Sequence, residues 1–212
     1  TYPDLNIKGR TQYTAKIGQY PSVCMIYKGV PAGHPDEKPL EIALALLHNS
    51  SATGALDKLS IDGEITNGSA SLEANRQQGR CKIAVTPLYD ENQRRFESNK
   101  SAEKKALKAI QQIANGEVED WIINAIKTNM CREFDQVMEA SENKALILLQ
   151  AFINEEDLGQ VLNYKDEIMA INIDDIKRVA KQYLSNDYLA LYIEKGKLSK
   201  DAKIKKPGYK PI

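Results

Sequence analysis

Apolar and polar positions alternate with a period of two near both ends of the chain, and with a period close to 3.6 through most of its second half. From Arg10 to Ile17 the side chains Thr11, Tyr13, Ala15 and Ile17 fall on one side and Arg10, Gln12, Thr14 and Lys16 on the other, which predicts a half-buried strand. Ser22 to Val30 reads as a second strand, apolar on both sides. A loop at Pro31–Pro35 leads into a helix opening at Asp36 or Glu37 and running to about His48. That helix is apolar nearly all round, so it should be deeply buried. Residues 50–54 interrupt it, and a short helix from Ala55 to Ser60 follows. Ile65–Asn75 and Arg80–Pro87 read as an antiparallel pair joined by Arg76–Gly79, with Cys81, Ile83 and Val85 facing one way. Three helical stripes come next. Ala106, Leu107, Ile110, Ile113 and Ala114 make the first, ended by Gly116. Val118, Trp121, Ile122, Ala125, Ile126, Met130 and Phe134 make the second. Ala145, Leu148, Leu149 and Phe152 make the third.

The segment from Asn172 to Glu194 organises the rest. Asn172 is placed to cap a helix whose first turn carries Asp174 and Asp175, both favourable at the positive end of the helix dipole. Ile173, Ile176, Val179, Ala180, Tyr183 and Leu184 share one face, while Lys177, Arg178 and Lys181 stand opposite. Tyr188–Ile193 then reads as a strand, with Leu189, Leu191 and Ile193 on one side and Tyr188, Ala190 and Tyr192 on the other. Because both sides are apolar, this strand is expected to be covered on two faces. The element order predicts one α+β domain over residues 10–196, with helices against a mainly antiparallel sheet. Residues 1–9 read as a lead-in, and 197–212, basic and bearing Pro and Gly, as a linker to a further domain.

Composition narrows the function classes. The 212 residues carry 29 Lys plus Arg against 29 Asp plus Glu, so no net charge attracts nucleic acid or an anionic membrane. No stretch approaches the roughly 20 apolar residues of a membrane span. Cys24, Cys81 and Cys131 are an odd count without close pairing and read as small buried hydrophobes. The chain starts at Thr1 without a signal peptide, which suggests a piece of a longer protein whose targeting segment lies elsewhere. There is no glycine-rich phosphate loop, and the mixed charges Asp90, Glu91, Arg94, Arg95 and Glu97 read as a solvated loop.

The element order resembles a domain of the M16 family of zinc peptidases, the insulinase, pitrilysin and mitochondrial-processing-peptidase group. The stretch Ile173-Asp-Asp-Ile-Lys-Arg-Val-Ala-Lys-Gln-Tyr-Leu184 looks like the family's T-x-x-D-V-x-x-V-A-x-K-Y-L helix before the last strand. Ile113–Trp121 resembles its helix–Gly–helix junction, Glu139–Gln150 the segment after it, and Pro39–His48 the long helix before the substrate-side turn. The likeness covers residues 13–195.

The family's catalytic domains carry H-x-x-E-H and a distal Glu, because two histidines one helical turn apart reach one zinc and the Glu between them activates water. This chain has only His34 and His48, neither in that spacing. The resemblance therefore implies the partner domain that lacks a metal site, with no catalytic, cofactor or metal residue in this chain. Zinc would belong to a catalytic domain of the same polypeptide, and a peptide would be the substrate. Many such partner domains hold the substrate with an Arg and a Tyr, whose positions fall here near Ala55 and Thr66; neither replaces the lost side chain. Arg76 and Arg80 are expected to be solvated hairpin arginines. The alternative implied role is an assembly core without peptidase activity. For a bacterial member, a periplasmic or cell-envelope setting would fit.

Overall fold

A computed structural model describes residues 7–196. Most of the expected lead-in and the whole of the expected linker at 197–212 lie outside the described residues. Five strands form one sheet: β1 (Thr11–Gly18), β2 (Ser22–Lys28), β3 (Ile65–Ala74), β4 (Gly79–Pro87) and β7 (Tyr188–Lys195), in the order β1-β7-β2-β4-β3. All neighbours run antiparallel except β1 and β7, which pair in parallel from Thr11 opposite Leu189. A separate hairpin pairs β5 (Tyr89–Asp90) with β6 (Arg95–Phe96) inside the charged run expected to be a plain loop.

The cross-strand register decides which side chains meet the helices. Met25 lies opposite Ala190 and Ile83, and Tyr27 opposite Tyr188 and Cys81, and all of these are buried. Against the sheet pack α1 (Glu37–Ala45) and α3 (Asn99–Asn115), with α8 (Ile173–Tyr183) docked on both of them, while α2 (Ala55–Ile61) sits against β3. Ala102, Ala106 and Ala109 make the inner side of α3 thin enough for close approach, and Gly116 ends that helix in the left-handed region at φ 77°. The cap of α8 forms as expected: Asn172 Oδ1 accepts from the N–H groups of Asp174 (2.8 Å) and Asp175 (3.1 Å), and Asp175 accepts from Asn172 N–H (3.1 Å). Ile176, Val179 and Ala180 are fully buried beneath it. Outside this layer lie α4 (Asp120–Glu139), α5 (Ser141–Asn154), α6 (Leu158–Leu162) and α7 (Tyr164–Ala170), of which α4 and α7 pack on α1.

Five expectations change. The long helix stops at Ala45 rather than His48, since Leu46 and Leu47 turn to receive the backbone of Ala55 and Leu56. The last strand is covered on one face only: Tyr188, Ala190 and Tyr192 are buried, whereas Leu189, Leu191 and Ile193 are half-buried on a face that carries no helix among the described residues. β1 is an exposed edge strand, because its expected buried side shares that open face and Tyr13 is 58% exposed. On α4 most of the expected stripe docks, with Ile126 buried and Val118, Ile122 and Met130 packed against the core, but Ile123 and Lys127 are buried beside it and Trp121 points to solvent. Lys127 Nζ donates to the carbonyls of Met169 and Ile171, where a cation suits the negative end of α7. On α5 the expected stripe is exposed, with Phe152 79% accessible, and Ala151 and Asn154 face inward instead.

Of the cysteines, Cys24 and Cys81 are buried and Cys131 half-buried, all free thiols. Burial pushes the Cys81 thiol up to about 12, which suits an inert hydrophobe. One polar cluster ties the layers together. Glu103 on α3 accepts from Tyr192 Oη (2.6 Å), Tyr188 Oη (2.9 Å) and Arg10 Nε (2.8 Å).

Candidate functional site

Two places merit the description, one at each end of α1. At its C-terminal end, Leu46–Gly54 forms the turn that the resemblance assigns to the substrate side. Asn49 holds it: its side-chain amide donates to Ala45 O (2.9 Å) and Thr53 Oγ1 (3.0 Å), and its Oδ1 accepts from Ser51 N–H (3.0 Å). Asp57 closes it from α2, accepting from the N–H groups of Asn49 (3.1 Å) and Gly54 (3.0 Å) and lying 2.6 Å from His48 Nδ1. Gly54 is required here, because a Cβ would come within 2.4 Å of Leu47 O. Ala55 opens α2 half-buried, and Thr66 spends its hydroxyl on Pro87 O at 2.7 Å.

His48 is therefore engaged with a carboxylate that also caps α2, while His34, at the other end of α1, accepts from Asp36 N–H at 3.0 Å. Among the described residues no group of three or more His, Cys, Asp or Glu side chains is placed to hold a metal ion. These residues do not fit a zinc site, so no chemical step is assigned to them. Arg76 and Arg80 are both exposed and paired, with Glu155 and Glu73 respectively.

At the N-terminal end of α1 the outer helices leave a cleft of about 870 Å³. Its floor is apolar, with Met130, Phe134, Val137, Ile147 and Ile171. Phe134 stacks on Tyr164 at 4.8 Å between ring centroids, and Lys38 Nζ lies 5.0 Å from the Tyr164 ring centre. One wall is a strong pair: Arg178 donates to Asp36 Oδ1 (2.6 Å) and Tyr183 Oη to Asp36 Oδ2 (2.7 Å). The Arg178 hydrogen bond, with that from Tyr183, holds the Asp36 carboxyl below its usual range against the opposing effect of burial. In the lining of the cleft Lys38 stands 3.7 Å from Glu37 and 3.6 Å from Glu41. The other Glu41 oxygen, Oε2, is shut off from water and has no hydrogen-bond partner. Burial pushes this carboxyl up to about 7, with Lys38 opposing the shift and the charge of Glu37 adding to it.

No family model matches the sequence and no curated protein matches it. Solved structures do. A protease from Helicobacter pylori superposes with a TM-score of 0.74 at 16% identity over 87% of this chain and 43% of its own. An inactive peptidase domain from Bordetella parapertussis gives 0.71 at 15% identity, over 88% of this chain and 97% of its own. The peptidase M16 inactive domain from Pseudomonas fluorescens gives 0.67 at 11%, over 90% and 44%. The chain has the fold of an M16 inactive peptidase domain. It spans less than half the length of the Helicobacter and Pseudomonas chains, and nearly all of the Bordetella one.

No sequence signal marked the cleft. Its walls come from residues 33 to 178; Asp36, Glu37 and Asp175 were legible only as helix-opening residues, and nothing linked them to Glu133, Glu156 or Glu167.

Proposed function

We propose that this chain, from residue 10 to 196, is the non-catalytic domain of an M16 zinc metalloendopeptidase, forming part of the substrate chamber and supporting the zinc-bearing domain. The observation that carries the reading is the match in both directions to an inactive peptidase domain, 88% of this chain against 97% of that one. Two further facts support it. Similar chains run to about twice this length, which leaves room for a second domain. The sheet also has an apolar face that no helix covers among the described residues, at Tyr13, Ile26, Leu189, Leu191 and Ile193, of the kind a neighbouring domain covers.

On this reading the chain contributes position rather than chemistry. Catalysis needs the scissile bond held within roughly an ångström of productive geometry, and a wall supplied by a second domain serves that end. The zinc-bound water that attacks the peptide carbonyl would belong to the other domain. The test is a peptidase assay, with zinc content, on the full-length protein, a form lacking this domain, and the two parts recombined. Deletion should abolish most activity while zinc stays bound, and recombination should restore it. A deleted form that is folded, zinc-loaded and as fast as the full-length enzyme on unstructured peptides would sink the chamber role. A full-length protein without zinc and without activity would put the assembly-core reading in its place.

A further inference from the structure

We propose that the cleft at the N-terminal end of α1 binds a peptide segment in which Lys or Arg side chains alternate with apolar ones. The proposal concerns this chain alone and stands whether or not a zinc-bearing domain adjoins it. The cleft takes in the first turn of α1, to Pro39, and the turn that precedes Ala55 lies beyond its last residue, so roughly 9 Å of helix separates them at 1.5 Å per residue.

Charge complementarity carries the argument. The two cations that line the cleft are already occupied, Arg178 by Asp36 and Lys38 by Glu37 and Glu41. Four lining carboxylates, Glu133, Glu156, Glu167 and Asp175, have no ion pair among the described residues. Glu133 accepts only from Ser50 Oγ (3.0 Å), Glu156 from the Asn154 amide (2.7 Å), and Asp175 from a backbone N–H in its helix cap. These groups surround a floor of Met, Phe, Val and Ile side chains. An acidic rim above an apolar floor matches a ligand with cationic ends on apolar stems.

The carboxylates come from four places, α4, the turn after α5, α7 and α8. A chain that presents several cations in turn meets that spread better than one small ammonium. At about 870 Å³ the cleft is also at the upper end of the usual pocket range of roughly 300–1,000 Å³. Lys38 over Tyr164 already shows an ammonium resting on the aromatic pair.

The experiment is a fluorescence-anisotropy titration of the 212-residue chain against a blocked, labelled octapeptide of alternating Leu and Lys. Two controls are used, one with Glu replacing Lys and one with Ser replacing Leu. The Leu–Lys peptide should bind at least about tenfold more tightly than either control and weaken with added salt. Glu133→Lys with Glu167→Lys should cost at least about tenfold for the Leu–Lys peptide and bring the Leu–Glu peptide up to meet it. Glu133→Gln, an exposed position that leaves the fold intact, should give a smaller loss in the same direction. Equal binding of the Lys and Glu peptides would overturn the proposal. So would undiminished binding by a folded charge-reversal variant, no binding at millimolar peptide, or displacement of the peptide by hexylamine at equal concentration.

Discussion

Glu41 and Glu103 are two carboxyls whose surroundings act in opposite directions. Glu41 has a raised pKa, near 7, so the folded chain holds its proton more tightly than the unfolded chain does. Its contribution to stability is complete below the ordinary carboxylate range and is lost as pH rises towards 7. At Glu103 burial raises the pKa, but hydrogen bonds from Arg10, Tyr192 and Tyr188 outweigh it and leave the pKa lowered. That contribution is present above the ordinary range and lost as pH falls. Glu41→Gln keeps the shape and removes the ionisation. It should leave stability unchanged near pH 4 and raise it by about 1–3 kcal/mol at pH 8. Urea denaturation at the two pH values reads the difference directly. A variant equally stable to the natural chain at pH 8 would mean that the carboxyl finds a partner in solution.

At the scale of the element, α8 and α5 give the sharpest contrast. Ile176→Ala should cost about 2–5 kcal/mol, because the side chain is fully enclosed in the core where α8 meets α1 and α3. Lys177→Ala, one position on, should cost about 0.5 kcal/mol or less, and so should Phe152→Ala on the open side of α5. Chemical denaturation of the three variants tests both helix faces at once. The face of α8 was legible because its apolar positions form a single stripe with a capping Asn and two first-turn Asp. On α5 the run Ala145–Phe152 is apolar on nearly every side, so Ala145, Leu148, Leu149 and Phe152 offered as good a stripe as Ile147 and Ala151. Period alone cannot choose between them; the neighbours do. Trp121 misled for a related reason: the size of a side chain argues for burial, but the helix turned inward the residue that could close α7, Lys127.

For the whole molecule the uncovered side of the sheet sets the expectations. Tyr13→Lys should leave the stability of this chain within about 0.5 kcal/mol, since the ring is mostly in water. It should weaken recombination with the rest of the protein by at least about tenfold if a domain covers that face, because a charge would then be buried unpaired. A pull-down titration with the separated remainder measures it, and equal recovery of both forms would leave the face without that role. The strand pairing β3–β4 and the α+β order were legible from alternation. Coverage of one face rather than two was not, because Leu189, Leu191 and Ile193 look the same whether they meet a helix or a separate domain. The cleft was invisible for a different reason: a site assembled from both halves of a chain has no local pattern. One consequence concerns synthesis on the ribosome. β1 is made before the other strands of the sheet, yet among the described residues its sheet neighbour is β7, with Thr11 paired to Leu189. Until residue 188 emerges, β2 keeps an unpaired edge and β1 has nowhere in the sheet to go. The nascent domain therefore presents bare backbone until β7 is made, and that strand seals two gaps in one step.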